Sequence, residues 1–136
     1  MIKYPRRFNQ AQPANYDGLF DWDFLEPAFA GTLIMPMDID AVVERRGKVL
    51  IFETKDVGVD IPLGQKITLE TLLRIGRGSI YLMIIYGKTP NTIEGLDEWG
   101  CGYKGGGIVY KGYQECDADF VLKRVSAWFA WANSRS

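Results

Sequence analysis

The stretch Lys48-Val49-Leu50-Ile51-Phe52-Glu53-Thr54-Lys55 decides the fold that we predict for this chain. Four apolar residues in a row, closed by an acid and a lysine, are typical of a buried strand that ends at a polar edge. Before it, Arg45-Arg46-Gly47 indicates a tight turn in which glycine supplies the unusual backbone conformation. The run from Asp38 to Glu44 then becomes the partner strand, and we predict a β-hairpin.

Upstream of the hairpin we predict a short helix that Asp17 caps, Pro27 kinks and Gly31 ends. Leu33-Ile34-Met35 is predicted to be a short strand. The first residues are polar and contain several Asn and Gln, so we interpret them as an N-terminal arm attached to one domain. The predicted boundaries are 1–16 for the arm and 17–136 for the domain.

Downstream of the hairpin, apolar spacing and glycines define the remaining elements. Leu69, Leu72 and Leu73 form one stripe of a helix, and the glycine-rich residues 87–106 indicate a long loop. The predicted elements are a helix from Leu63 to Ile75, a strand from Ser79 to Tyr86, a strand from Ile108 to Lys111 and a last helix capped by Asp117. This order, α-β-β-β-α-β-β-α, predicts an α/β fold with a mixed central β-sheet flanked by helices and a helix at the C-terminal end.

Composition excludes several classes of enzyme. The 136 residues carry a formal net charge of -1 and contain no histidine, which removes Ser-His-Asp and Cys-His catalysis and any histidine general base. The two cysteines, Cys101 and Cys116, are too few for a disulfide scaffold, so we expect reduced thiols. The longest apolar run, Ile80 to Tyr86, is far shorter than the roughly 20 residues of a membrane span. We expect a cytoplasmic protein with no signal peptide and no membrane association.

The hairpin carries the residues that indicate chemistry. If Arg46-Gly47 is a two-residue turn, Asp40 lies opposite Glu53 with Cβ atoms about 5 Å apart. Lys55 then projects from the same face as Glu53, and Asp38 lies opposite Lys55. Two facing carboxylates repel each other, and Mg²⁺ or Mn²⁺ relieves that repulsion through hard oxygen ligands. A turn of another length would shift this pairing, and a surface hairpin with salt bridges is the alternative.

Gln65 is the second indication. It lies at the centre of the apolar stripe formed by Leu69 and Leu72, where a polar side chain needs a partner. Two interpretations stay open. The amide bonds a neighbouring backbone group, or it points back to the end of the hairpin beside Glu53 and Lys55.

Over roughly residues 19–86, these features resemble the PD-(D/E)XK nuclease superfamily. The matching residues are Pro36-Met37-Asp38-Ile39-Asp40, Glu53-Thr54-Lys55 and Gln65 on the following helix. The resemblance implies a restriction-endonuclease-like α-β-β-β-α-β core and Mg²⁺-dependent endonucleolytic hydrolysis of DNA, with Mn²⁺ as a substitute. It implies that Asp40 and Glu53 bind metal and that Lys55 and Gln65 complete the catalytic group. Members of the family often carry an acid on the first helix, which Glu26 matches best, and Asp38 competes with Asp40 as a ligand.

Phosphodiester hydrolysis also needs cations near the phosphate, and Lys55 meets that need without reference to a family. Other basic side chains are candidates for phosphate contacts: Arg45, Arg46, Lys66, Arg74, Arg77 and Lys104. We therefore expect DNA as the partner, with branched DNA as a candidate substrate, and a homodimer or a subunit of a larger nuclease complex. The alternatives are a non-catalytic nucleic-acid-binding or interaction protein that keeps a nuclease fold, and an unrelated α/β module with a salt-bridged hairpin.

Overall fold

A computed structural model of the protein describes residues 21–102 and 106–134. The chain divides into two units, Met1–Pro36 and Met37–Ser136, and each is described by itself. The predicted arm, the capping residue Asp17 and Lys104 lie outside the described residues. In chain order the elements are a 3₁₀ helix Asp23–Phe29, β1 Ala41–Arg45, β2 Lys48–Lys55, α1 Leu63–Gly76, β3 Ile80–Gly87, a 3₁₀ turn Pro90–Thr92, β4 Ile93–Cys101, β5 Ile108–Tyr110, β6 Gln114–Glu115 and α2 Ala118–Ser134.

The described part of the first unit corrects two predictions. The predicted helix is a 3₁₀ helix of seven residues with Pro27 inside it. Proline lacks the N–H that an α-helix interior needs, which favours this shorter form. Leu33-Ile34-Met35 does not form a strand. Instead the Thr32 hydroxyl donates to the Phe29 carbonyl over 2.6 Å, and the Ile34 N–H donates to that hydroxyl over 3.2 Å, so the backbone turns there.

The second unit contains a mixed sheet of six strands, which confirms the predicted α/β class. The strand order is β1-β2-β3-β4-β5, and β6 also pairs with β4. β2 and β3 run parallel with α1 between them along the chain, and the other pairs are antiparallel. In the hairpin, Arg45 pairs with Lys48. Arg46 and Gly47 form the two-residue turn with φ of 53° and 81°, as a type I′ turn requires.

The strands alternate their side chains between two helices. Leu50 packs on the face of the sheet that α2 covers, and Ile51 packs on the face that α1 covers. From α1, Leu69 and Leu73 are buried, and from α2 the buried residues are Val121, Trp128 and Ala132. Asp117 caps α2, as predicted, because its carboxylate accepts the N–H of Phe120 over 3.0 Å. Phe129 of α2 is 45% exposed.

The predicted loop over residues 87–106 is wrong, because Ile93–Cys101 within it forms β4, which lies between β3 and β5. Two glycines within β4 conceal the strand in the sequence. A Cβ at Gly95 would collide with the ring of Tyr113, and a Cβ at Gly100 would lie 2.8 Å from Cε1 of Tyr81. These glycines are therefore places where an aromatic ring lies directly on the strand.

β4 also carries a buried acid that the sequence did not indicate. Glu98 is 3% exposed and accepts two bonds of 2.9 Å from Arg124 of α2, one from Nε and one from Nη2. The Tyr81 hydroxyl donates to it over 2.9 Å, and the Lys111 ammonium lies 3.7 Å away. Burial alone would raise the pKa of Glu98, but the bonds from Arg124 and Tyr81 hold it below its ordinary value.

We predict that Arg124→Met lowers the free energy of unfolding by about 3 kcal/mol, because it leaves the buried Glu98 carboxylate without its main partner. The double variant Glu98→Gln/Arg124→Met should recover most of that loss, since no buried charge remains. Urea unfolding of the three proteins at neutral pH measures both effects. A double variant no more stable than Arg124→Met would show that the loss comes from the missing packing of the arginine and not from an unpaired buried charge.

Candidate functional site

Glu53 lies near the end of β2, on the face of the sheet that α1 covers, and it is 1% exposed. Gln65 in the first turn of α1 donates Nε2 to Glu53 Oε1 over 2.7 Å. The backbone N–H of Asp40 donates to Glu53 Oε2 over 3.2 Å. One carboxylate thus links β2, α1 and the residue that precedes β1. Of the two interpretations of Gln65, the structure selects the one in which the amide points to the hairpin.

Asp40 lies directly before β1, and continuing the observed register places it opposite Glu53, as predicted. Its Oδ2 accepts two bonds from Thr54, one from the backbone N–H over 2.8 Å and one from the hydroxyl over 2.9 Å. Thr54 therefore fixes the Asp40 carboxylate. Sequence reasoning passed over Thr54, although a threonine between the acid and the lysine was the available signal.

The two carboxylates are electrostatically coupled. Burial raises the pKa of Glu53, and the neighbouring Asp40 carboxylate raises it further. The Asp40 N–H and the Lys55 ammonium act in the opposite direction without cancelling these effects, and the pKa of Glu53 is about 7. The site therefore holds an incompletely compensated negative charge.

Lys55 ends β2 on the same side as Glu53 and is half-buried. Its neighbour on β3 is Tyr86, since the two residues pair in the parallel register. Tyr86 contributes to a recess of about 360 Å³, together with Asp60, Lys66 and Asp97. Burial raises the pKa of the Tyr86 phenol, and Asp97 and Asp60 add to the effect. Sequence reasoning did not select Tyr86 or Asp97, because strand pairing alone brings β4 into this region.

The fit of a divalent cation can be judged from the oxygen atoms. Gln65 Oε1 is buried and has no hydrogen-bond partner among the described residues. It belongs to the amide that bonds Glu53, so a hard oxygen atom without a partner lies beside the carboxylate pair. Carboxylate and amide oxygens suit Mg²⁺ or Mn²⁺. The residues that would hold such an ion are Asp40, Glu53 and Gln65.

Of the three predicted acidic ligands in the second unit, Asp40 and Glu53 lie together and Asp38 does not join them. Within residues 21–102 and 106–134, no three acidic or cysteine side chains lie close enough together to hold a metal ion. Asp38 is exposed in the segment before β1. Glu26 lies in the 3₁₀ helix of the first unit. Within the second unit, the structure thus brings together Asp40 and Glu53.

Most of the predicted phosphate-binding residues lie away from the acids. Arg45 ends β1, Arg46 lies in the turn and Lys48 begins β2. Lys48 is five residues from Glu53, or about 17 Å along a strand. Arg74 lies in the last turn of α1, and Arg77 caps its C-terminal end. Both are at that same end of the sheet, because Ile80 at the start of β3 pairs with Val49. Among the described members of the predicted set, Lys66 in the first turn of α1 lies at the Glu53 end.

Two cations of the hairpin tip, Arg45 and Lys48, already have partners. Arg45 donates Nε to Asn133 over 2.6 Å, and its guanidinium lies 5.9 Å from the ring centroid of Phe129. Lys48 lies 5.4 Å from the ring centroid of Trp131. These contacts tie the hairpin to α2, so the tip has a structural role whatever else it binds.

The chain matches no protein-family model, no curated protein and no solved structure. Among the described helices, none has the length and apolar character needed to cross a membrane. Both cysteines are free thiols, as expected. The case for a function therefore depends on the geometry of the site.

We predict that, in EDTA, stability falls as the pH rises from 5 to 8. The pKa of Glu53 is about 7 in the folded protein against an ordinary 4.5, so folding favours the protonated acid. The resulting stability is present below pH 4.5 and is lost as the pH rises through 7, by about 3 kcal/mol in all.

Urea unfolding at several pH values measures this loss. Glu53→Gln should remove it, whereas Glu115→Gln, at an exposed position of β6, should keep the wild-type profile. Parallel pH profiles of wild type and Glu53→Gln would contradict the assignment.

Proposed function

We propose that this protein is a metal-dependent deoxyribonuclease that hydrolyses phosphodiester bonds, with branched DNA as a candidate substrate. The observation that carries the proposal is the meeting of Asp40 and Glu53 at the end of β2, with Lys55 beside them and Gln65 bound to Glu53. This is the residue set by which the sequence resembles the PD-(D/E)XK nucleases.

The fold supports the proposal at the level of β1, β2, α1 and β3. An antiparallel hairpin followed by a helix and a parallel strand is compatible with the order that the resemblance implies. The chain departs from that order at Leu33-Ile34-Met35, where the expected earlier strand is absent. We propose that β1, β2, α1 and β3 form a restriction-endonuclease-like catalytic core.

In the proposed mechanism, Asp40 and Glu53 would hold Mg²⁺ together with Gln65 Oε1, and the amide N–H of Gln65 orients Glu53. A bound divalent ion lowers the pKa of water and neutralises charge on the phosphate. Lys55 places an ammonium near the carboxylate pair, where it can stabilise negative charge that develops on the phosphate. Thr54 holds the Asp40 carboxylate in place, so each residue from Glu53 to Lys55 has a separate role.

We propose DNA as the partner, bound first at the Glu53 end through Lys55 and Lys66. Because five of the other basic residues lie at the far end of the sheet, a second copy of the chain or a further subunit would extend the contact. A homodimer or a larger nuclease complex is consistent with this need for more basic surface.

We predict that Asp40→Asn and Glu53→Gln abolish DNA cleavage while DNA binding persists, because both variants keep shape and remove the charge that holds the metal. Asp38→Asn is the matched control and should have a mild effect, since Asp38 lies outside the pair. Single-turnover cleavage and gel-shift assays with branched and linear DNA, in Mg²⁺ and in Mn²⁺, measure both properties. DNA binding without cleavage by the wild type in either metal would favour the non-catalytic alternative.

We predict that Lys55→Met lowers the cleavage rate about a hundredfold or more, or about 2.7 kcal/mol of transition-state stabilisation. Melting temperature and metal binding should change little, because methionine keeps most of the apolar stem. Lys55→Arg should restore only part of the rate, since a planar guanidinium does not replace a compact ammonium. The control is Lys123→Met, an exposed lysine of α2. Cleavage by Lys55→Met at the wild-type rate would remove Lys55 from the mechanism.

A further inference from the structure

A pocket of about 480 Å³ lies between the sheet and α2, on the face opposite to Glu53. The pocket also lies at the end of the strands away from Glu53, because Gly78 and Ile80, at the start of β3, line it. The volume lies within the range of about 300 to 1,000 Å³ that is typical of small-molecule sites. No part of the proposed catalytic group contributes to it.

The walls of this pocket are mainly aromatic. Tyr81, Trp128 and Trp131 line it, and Gly100 contributes a surface without a side chain. Trp128 is 7% exposed, and its indole N–H is buried with no hydrogen-bond partner among the described residues. Aromatic walls bind flat rings by stacking, and an indole N–H favours a ligand with hydrogen-bond acceptors. A planar heteroaromatic ring has both properties.

The edge of the pocket is cationic. Arg124 lines it, and Lys48 lies over the ring of Trp131, which also lines it. The Glu98 carboxylate faces Arg124, and it also lies 3.7 Å from the Lys111 ammonium. Arg124 is thus the charged side chain among the residues that line the pocket, and together with Lys48 beside the Trp131 wall it favours an anionic group on the ligand.

We propose that this pocket binds a nucleotide, with the base between the aromatic walls and the phosphate at the edge formed by Arg124 and Lys48. The same chemistry, a heteroaromatic ring that carries a phosphate, occurs in a free mononucleotide and in an unpaired nucleotide of single-stranded nucleic acid. The proposal is independent of the nuclease proposal, because it uses other residues on the other face of the sheet.

The test is a titration of the full chain in EDTA, followed by tryptophan fluorescence. The probes are AMP, adenosine, inorganic phosphate and a single-stranded oligothymidylate. We expect saturable quenching by AMP, with adenosine and phosphate each binding at least about tenfold more weakly, which corresponds to about 1.4 kcal/mol. If the oligothymidylate binds more tightly than AMP, the bound nucleotide belongs to a nucleic acid. If AMP binds more tightly, the ligand is a free mononucleotide.

Two alanines of α2 provide a matched pair of variants. Ala127 lines the pocket, whereas Ala130 is exposed on the same helix and outside the pocket. Ala127→Leu should fill the site and weaken AMP binding at least about tenfold, or about 1.4 kcal/mol, and Ala130→Leu should leave it unchanged. If Ala127→Leu does not fold by circular dichroism, Trp131→Leu takes its place and should show the same loss.

Three results would overturn the proposal: no saturable signal from AMP or the oligothymidylate, equal affinity for phosphate and AMP, or equal loss in the two alanine variants. Because the titration requires no metal and no cleavage, its outcome is separate from that of the nuclease assays. Binding of AMP or oligothymidylate that Ala127→Leu weakens, without cleavage, overturns only the nuclease proposal, and cleavage with neither ligand bound overturns only this one.

Discussion

The burial of Glu53 is the constraint on which the arrangement of the second unit depends. Its carboxylate is almost fully removed from solvent, and it accepts bonds from Gln65 of α1 and from the backbone before β1. Since a buried carboxylate is costly unless it is bonded, these contacts fix where α1 begins and where the hairpin edge lies. The candidate site exists because Glu53, a charged residue near the end of β2, lies where α1 still covers the sheet.

The two buried acids of the sheet, Glu98 and Glu53, differ in how their negative charge is compensated. Glu98 receives a bidentate arginine, and its pKa is lowered. Glu53 receives an amide and a backbone N–H, and its pKa is raised to about 7. A structural role explains Glu98 completely, because its charge is paired. Glu53 has no such pairing, which is why we assign function to this end of the sheet and structure to the other buried acid.

Local patterns predicted the parts of the molecule whose signals lie close together in sequence. The hairpin register followed from the Arg46-Gly47 turn and the length of β2, and it gave the pairing of Asp40 with Glu53 correctly. β4 was missed because ring stacking on its glycines and the burial of Glu98 depend on distant residues. The sequence also did not indicate that the arginines lie far from the acids. Only the parallel pairing of β2 with β3 places the end of α1 at the end of the sheet away from Glu53.

The central claim is that the Asp40–Glu53 pair binds a divalent cation, and anomalous diffraction from crystals soaked in Mn²⁺ tests it most directly. The account predicts an anomalous peak within coordination distance of both carboxylates, with Gln65 Oε1 or a water bound to it as a further ligand. The same soak of Glu53→Gln crystals should show no peak there. A wild-type crystal at pH 8 without this peak, in which the two carboxylates keep the contacts described here, would contradict the account.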